Sequence, residues 1–334
     1  MSLEKPAEGA AIRQRKGSTV APGYYLAGVL GGAIGALAVF CALYGALYVT
    51  GFLPPPPLSN NVCTDEKLVF FRENPPAEPN LLVIGSSVAW RNIDSSVIAR
   101  ELPGRQPLNA GFCGMQIHQS AFIADWMLHH WPSVDQLILV VSPLDYTQCR
   151  GSGAVFDQTD ADRFVFERAG AWTFYLRYFD PVSLNRNIKR QAEDREQARI
   201  LKVNRGFTKY GDGPLDTNEN RGLFYGPFPA LDASCFDALR QLAVRLVGEG
   251  RELLVVATPI HPNWKSQYDA DGMFRADFAR QLTAALAGTG ASLWNADEAA
   301  ILDASAFTDA IHVRWDAAEI LTDAVVARMR SDGS

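Results

Sequence analysis

The 334-residue sequence lacks a Cys-x-x-Cys pair, a long run of like charge and an internal repeat of 20–50 residues. The first absence argues against a zinc cluster, and the last argues against solenoids and propellers. A net charge of −6 and a pI near 5.4 lack the basic excess of nucleic-acid-binding proteins, so we expect no nucleic-acid partner. With 48% hydrophobic and 20% charged residues, the composition is that of an ordinary folded protein.

Charge is also missing from residues 24–52, an apolar run long enough for a tilted membrane-spanning helix. Four prolines follow at 54–57 without a nearby basic residue, whereas three basic residues precede the run: Arg13, Arg15 and Lys16. The positive-inside rule then places residues 1–23 in the cytoplasm and the rest of the chain beyond the inner membrane, in the periplasm or outside. A cleaved signal peptide is the main alternative, but its apolar core is normally shorter and ends in a small-residue cleavage site.

Small residues line one face of this predicted anchor. Gly28 and Gly32 form one G-x-x-x-G pair, and Gly31 and Gly35 form a second. Such pairs let another membrane helix approach closely, which predicts a membrane-protein partner for this face. The alternative is that glycine is simply common in membrane helices.

The sequence has five cysteines, of which Cys41 lies in the apolar run. The other four cysteines follow this run: Cys63, Cys113, Cys149 and Cys235. Export of this part of the chain to an oxidising compartment permits one or two disulfides among them. Spacing does not fix the pairing, and buried thiols are the alternative.

Beyond a proline-rich linker and lead-in at 53–79, apolar runs alternate with helical patterns in residues 80–334. The runs predict strands at 80–84, 106–110, 134–141, 252–257 and 291–295, and continuous apolar runs of this kind are typical of parallel strands covered on both faces. Helices are predicted at 94–101, 116–130, 232–248, 276–286 and 316–329. The fold class is therefore α/β, with a mostly parallel sheet between helices. Residues 151–230 break the pattern and are interpreted as an insertion over the sheet edge.

Two short motifs carry the chemistry. Gly85-x-Ser87 ends the first predicted strand, where a serine is delivered onto a turn at the carboxyl edge of the sheet. Asp309-x-x-His312 precedes the last helix, and its spacing lets the carboxylate orient the imidazole. A serine hydroxyl needs such a base to act as a nucleophile. Each motif also has a plain alternative, as turn, cap or buried polar residues.

Other polar groups follow the remaining strands. Asn109 and Gly114 flank a glycine turn after the second strand, and backbone N–H groups of such a turn can face an oxyanion. Asp145 follows the third strand and His261 the fourth, which makes both of them, with Asn109, candidate cleft residues.

In this order the blocks resemble those of the SGNH (GDSL-type) hydrolase superfamily. The resemblance covers the chain from about residue 80, except the insertion, and implies a three-layer, flavodoxin-like fold. It implies Ser87 as nucleophile, His312 as base, Asp309 as its orienter, and the N–H groups of Ser87 and Gly114 as the oxyanion hole. Two departures are clear: Gly-Ser-Ser replaces the usual Gly-Asp-Ser, and residues 142–145 read Ser-Pro-Leu-Asp, without the asparagine that completes the family's oxyanion hole.

The Ser-Pro and Thr-Pro-Ile-His strand ends resemble the membrane-anchored branch of that superfamily, which acylates exopolysaccharides and D-alanylates teichoic acids. That resemblance implies serine acyl-transfer chemistry on a polysaccharide or an acylated small-molecule substrate, beside a multi-pass membrane acyltransferase. It implies no metal or organic cofactor. Two other functions stay open: a carbohydrate esterase that removes acyl groups, and a non-catalytic scaffold or polysaccharide-binding component.

Overall fold

The computed structural model describes residues 22–59, 61–201, 206–213 and 220–332. The chain divides into two compact units, one ending at Leu53 and the other beginning at Pro54. The predicted cytoplasmic tail lies outside the described residues except for its last two positions.

The first unit contains helix α1 (Pro22–Val49). Its segment Gly23–Val49 has a mean hydropathy of 2.3 and is long and apolar enough to cross a membrane. At 1.5 Å per residue, 27 helical residues extend about 40 Å, which exceeds the hydrocarbon thickness of a bilayer and leaves room for tilt. The candidate spanning helix predicted from the missing charges is therefore present.

The second unit is built on one parallel sheet with strand order β2-β1-β3-β4-β5. Each strand begins and ends within two residues of its predicted range: β1 (Leu81–Gly85), β2 (Pro107–Gly111), β3 (Gln136–Val141), β4 (Glu252–Ala257) and β5 (Ser292–Asn295). The chain runs from β1 to β2 on one side and then to β3 on the other. The carboxyl ends of β1 and β3 therefore flank the crevice in which open α/β sheets place their reactive groups.

Alternate side chains of each strand enter two separate cores. Leu82 and Ile84 of β1 join one core with Leu139 of β3, whereas Val83 and Val140 join the other. Helices are numbered in chain order, and α2 and α6–α8 are described below. The helices that enclose these cores are α3 (Ser87–Asn92), α4 (Ser95–Glu101), α5 (Ile117–His130), α9 (Ala233–Gly248), α10 (Pro262–Tyr268), α11 (Met273–Leu286) and α12 (Trp315–Asp332). This three-layer arrangement confirms the predicted α/β class. Asp94 caps α4 by accepting a hydrogen bond from the N–H of Ser96.

The predicted lead-in contains a helix that the sequence analysis did not place, α2 (Val62–Glu73). Asn61 caps it, and Leu68 and Phe71 are buried in the same core as β1. Two disulfides are present, Cys63–Cys113 and Cys149–Cys235, and Cys41 is a free thiol. The first bond ties α2 to the loop after β2, so α2 is part of the domain rather than a spacer.

The described part of the predicted insertion holds three helices, α6 (Gln158–Val165), α7 (Ala171–Arg177) and α8 (Pro181–Leu201). Further on, residues 206–213 run along the edge strand β2, where Tyr210 accepts a hydrogen bond from the N–H of Asn109. Asp212 is fully buried and accepts from the side chains of Ser95, Asn109 and Thr208. Because these donors satisfy a buried carboxylate, they hold this part of the insertion firmly against β2 and α4.

Candidate active site

The turn after β1 is shaped by a glycine. Gly85 has φ +138°, and a Cβ there would lie 2.2 Å from the carbonyl oxygen of Val140 on β3. Only glycine fits this close approach. Ser86 then caps α3 by accepting from the N–H of Val88 at 3.4 Å, and Ser87 becomes the first residue of the helix. Ser87 is half-buried, so its hydroxyl lies at the carboxyl edge of the sheet without being sealed from solvent.

The second motif forms a tight loop between Phe307 and Val313, which make an antiparallel bridge. Asp309 closes the loop because its Oδ1 accepts from the backbone N–H groups of Ile311 (3.0 Å) and His312 (2.9 Å). The N–H of Thr308 donates to the carbonyl of His312 at 2.9 Å. The Asp-x-x-His spacing is thus held by local backbone bonds, which is why the sequence could predict it.

The structure brings Ser87, His312 and Asp309 together. The Nε2 of His312 lies 2.8 Å from the Oγ of Ser87, and its Nδ1 lies 2.9 Å from Oδ2 of Asp309. A carboxylate at Nδ1 accepts a hydrogen bond, so the proton resides on Nδ1 and the lone pair of Nε2 faces the hydroxyl. This is the arrangement that a serine nucleophile requires of its base.

Electrostatics suit these roles. Burial lowers the pKa of His312 from 6.5, against the opposing effect of Asp309, so the imidazole is neutral at pH 7. Burial opposes ionisation of Asp309, but its hydrogen bonds with His312 and the attraction of that ring outweigh it and lower the pKa of Asp309 to about 2. A neutral base beside an ionised orienter can accept the serine proton and stabilise the resulting imidazolium.

Asn92, the last residue of α3, clamps the histidine loop to the serine helix. Its Nδ2 donates to the carbonyl of Ile311 at 2.8 Å, and its Oδ1 accepts from the N–H of Val313 at 3.0 Å. The same Nδ2 reaches the hydroxyl of Thr258, which follows β4. Asn92 is fully buried, and it fixes both peptide groups that flank His312. Since Ser87 begins the helix that Asn92 ends, one rigid element sets the distance between nucleophile and base.

The insertion contributes a fourth polar residue. Arg221 donates from Nη1 to Oδ2 of Asp309 at 3.2 Å, and its N–H donates to the carbonyl of Thr308 at 2.7 Å. Tyr225, which also hydrogen-bonds with Arg221, places its ring 6.1 Å from that of His312. No local pattern links positions 221 and 309, so the sequence analysis did not find this contact.

The predicted oxyanion groups are Ser87, at the N-terminus of α3, and Gly114. Gly114 is exposed in a turn with φ +66°, a conformation that favours glycine. The preceding residue, Cys113, is fixed twice: by its disulfide to Cys63 and by a hydrogen bond from Nδ2 of Asn61 to its carbonyl. These contacts hold the turn that carries Gly114 against α2, as a preorganised donor requires.

Asn109 does not line the cleft. It is fully buried, its Nδ2 donates to the carbonyl of Ala89 and to Asp212, and its Oδ1 accepts from the N–H of Gly111. The hydrogen-bonding groups of this amide are therefore satisfied by contacts that attach β2 to α3 and to the insertion. The expectation that Asn109 faces a substrate is wrong, because every polar atom of its side chain is already bonded inside the protein.

Asp145 is also turned inward. Its Oδ2 accepts from the N–H of Ser142 at 2.7 Å, and its carboxyl group hydrogen-bonds with Ser86. Burial raises the pKa of Asp145 to about 7. Asp145 thus steadies the residue before Ser87, and residues 142–145 supply no side-chain amide.

His261 lies beside the histidine loop. It caps α10 by accepting from the N–H of Asn263 at 3.0 Å, and its backbone N–H donates to the carbonyl of Ala310. Its ring centroid is 5.1 Å from that of Phe307. Among the described residues, Ser87 is not one of its hydrogen-bond partners, so His312 is the histidine that the structure offers as the base.

No protein-family model and no curated protein sequence matches this chain. Among solved structures it is similar to an aryl esterase of M. smegmatis with an inhibitor bound, at 13% identity and a TM-score of 0.39. It is also similar to a protein of Agrobacterium tumefaciens str. C58 described as an arylesterase, at 16% identity and a TM-score of 0.39. Both matches cover 75% of this chain and 98% of the other. At this sequence identity and TM-score, the similarity gives no information about the reaction. Evidence about the reaction comes from the geometry of the site.

We expect Asn92→Ala to lower the kcat for a simple ester by about 100-fold, because His312 loses its fixed distance from Ser87. The free energy of unfolding should fall by about 2–3 kcal/mol, since two buried backbone groups lose their partner. Steady-state kinetics and urea unfolding measure the two effects.

Thr258→Val is the matched control, because it removes the other partner of the Asn92 amide and leaves both peptide groups around His312 bonded. Its kcat should stay within about threefold of the wild type. If Asn92→Ala is destabilised but keeps the wild-type kcat, the clamp does not position the base.

We expect Arg221→Ala to move the acidic limb of the kcat/KM pH profile to higher pH. Arg91 and Arg221 both lower the pKa of His312 through their positive charge. Without Arg221 the imidazole keeps its proton to a higher pH, and the neutral base therefore appears later as the pH rises. Arg221→Lys retains the charge and should leave the limb in place; a limb that is unmoved in Arg221→Ala would contradict this role.

Proposed function

We propose that the protein is a membrane-anchored serine esterase or acyltransferase of SGNH type, acting outside the cytoplasm on O-acyl groups, and in particular O-acetyl groups, of a surface or exported polysaccharide. The 2.8 Å contact between Ser87 Oγ and His312 Nε2 carries this proposal. It is supported by the burial of Asp309 and His312, which are 0% and 2% exposed. A dry carboxylate–imidazole pair strengthens the hydrogen bond that aligns the base.

In the proposed reaction, Ser87 Oγ attacks the carbonyl carbon of an ester while His312 Nε2 takes the hydroxyl proton. The N–H groups of Ser87 and Gly114 then face the developing oxyanion. His312 returns the proton to the leaving alcohol, which departs and leaves an acyl group on Ser87. Water or a sugar hydroxyl attacks this acyl-enzyme, and His312 takes its proton. The bond between the acyl carbon and Ser87 Oγ then breaks, His312 returns the proton to Ser87, and the product carries the acyl group away.

The oxyanion hole lacks its usual third donor, because the block after β3 supplies no asparagine. Loss of one such donor typically costs about 3–4 kcal/mol of transition-state stabilisation. We therefore propose a slow enzyme, or one whose acceptor contributes part of the stabilisation. A pure scaffold would need neither the Ser87–His312 contact nor the Arg221–Asp309 pair, which is why catalysis is the favoured interpretation.

Aromatic side chains near the site support a sugar substrate. Phe224 is 65% exposed. The guanidinium carbon of Arg221 lies over its ring, 4.4 Å from the ring centroid. An exposed ring beside a catalytic loop is suited to stack on a sugar face. In contrast, Phe174 and Tyr175 are buried and attach the insertion to the domain.

Ser87→Ala and His312→Ala should each lower the hydrolysis of p-nitrophenyl acetate by about 10⁴-fold or more, because nucleophile and base act as a unit. The double variant should be no slower than either single one. Equal turnover by wild type and variants would contradict a serine mechanism.

The same samples, given an acetylated donor and a polysaccharide, separate the two enzymatic alternatives. An acyltransferase yields an acetylated glycan, whereas a deacylase releases acetate from one. Phe224→Ala should weaken the use of glycan but leave p-nitrophenyl acetate turnover within about threefold, as expected of a stacking residue.

For the anchor we propose a single membrane pass with the N-terminus in the cytoplasm and, as partner, a multi-pass membrane acyltransferase that packs on the face of Gly28, Gly31, Gly32 and Gly35. A Cβ added at any of these glycines meets nothing within 4 Å, so the face is open to a close helix. Gly31→Leu with Gly35→Leu should abolish co-purification of the partner, whereas Leu30→Ala with Ile34→Ala, on neighbouring positions, should not. Unchanged recovery of the partner from the glycine variant would refute the proposal.

A further inference from the structure

Helix α7 and the start of α8 present large apolar side chains at the surface of the second unit. Trp172 is 45% exposed, Leu176 51%, Phe179 46% and Val182 73%. These four residues, here called the α7–α8 face, fall within eleven consecutive positions of the chain. Exposed apolar residues scattered singly need no explanation, but a cluster of them indicates an interaction surface.

Contacts with α6 fix the helix α7 that carries part of the α7–α8 face. Phe174 is 1% exposed, and its ring lies 5.4 Å from that of Phe164 on α6. The hydroxyl of Tyr178 donates to the buried carboxylate of Asp160. Because α7 is fixed by these contacts, the outward position of Leu176 belongs to the folded domain.

A hydrogen bond joins α7 to the segment that follows α1. The hydroxyl of Tyr175 donates to the carbonyl of Pro54 at 2.6 Å, within the second unit. Pro54 comes only five residues after Val49, where α1 ends. Five residues reach at most about 18 Å. Tyr175 is therefore bonded to the segment that directly follows the proposed membrane anchor.

Charge on α8 fits the same surface. Arg186 and Lys189 follow Val182 at the i+4 and i+7 positions, which lie on one side of a helix. Both are exposed, as is Arg190, which pairs with Asp194 at 3.9 Å. The acidic residues of α8 come after this basic stretch, at Glu193, Asp194 and Glu196. Asp180, just before the helix, caps its first turn by accepting from Val182 and Ser183. Apolar side chains followed by Lys and Arg are typical of helices that lie in the interface of anionic membranes.

We propose that the α7–α8 face rests on the lipid bilayer, with its apolar side chains among the acyl-chain ends and Arg186, Lys189 and Arg190 against anionic headgroups. This contact, together with α1, fixes the orientation of the catalytic domain on the membrane. The proposal depends on the membrane attachment proposed above and is independent of the ester chemistry.

The test uses the full chain in nanodiscs, with a nitroxide attached at Leu176→Cys in a Cys41→Ser background. Val244→Cys on α9 is the matched control, because Val244 is also 51% exposed. Collision of the label with oxygen, which enters lipid, is compared with collision with a water-soluble nickel chelate. With about 30% anionic lipid, the oxygen-to-nickel ratio should be at least about threefold higher at position 176 than at 244.

Arg186→Glu with Lys189→Glu should bring the ratio at position 176 close to that at 244, and neutral nanodiscs should have a smaller effect in the same direction. Equal ratios at 176 and 244 in anionic nanodiscs would overturn the proposal. So would a label at 176 that is shielded from both probes in either lipid, because a protein partner would then cover the face. Ester hydrolysis by the same nanodiscs reports separately on the catalytic proposal, and Ser87→Ala should keep the lipid contact while losing activity.

Discussion

The site depends on one interaction, the bonding of Asn92 to the two peptide groups that flank His312. The histidine loop precedes α12, and the serine begins α3, more than two hundred residues earlier in the chain. Chain connectivity does not hold two elements this far apart within hydrogen-bond distance, so tertiary contacts have to fix them. Asn92 does so with an amide that can donate and accept at once, and its burial makes loss of either bond costly.

The insertion is the second constraint. Asp212 attaches residues 206–213 to β2 and α4, and Arg221 then reaches the carboxylate of Asp309. Burial is the main cause that lowers the pKa of His312, and the positive charge of Arg221 adds to it, so the insertion helps to keep the imidazole neutral. A segment that interrupts the alternation of strands and helices is therefore part of the proposed catalytic apparatus.

The sequence was sufficient wherever structure is local or periodic. Apolar runs located the strands because parallel strands are buried on both faces, and Asp309 and His312 could be paired because backbone bonds within one loop join them. It was insufficient where a partner is distant: nothing near position 92 or 221 indicates the loop at 307–313. Asn109 was predicted to line the cleft because it lies near the carboxyl end of a strand, yet its side chain is bonded in the interior. Helix α2 was missed because it follows closely after four prolines, and proline-rich segments are typical of extended linkers.

The central claim is that Ser87 is a nucleophile activated by His312. Reaction with a fluorophosphonate followed by peptide mass spectrometry tests it most directly, because the reagent modifies an activated serine in preference to ordinary hydroxyls. One adduct is expected, on Ser87 and not on the adjacent Ser86. No adduct is expected in His312→Ala or in unfolded protein. An unmodified Ser87 in the folded wild type, or an equal adduct in His312→Ala, would contradict it.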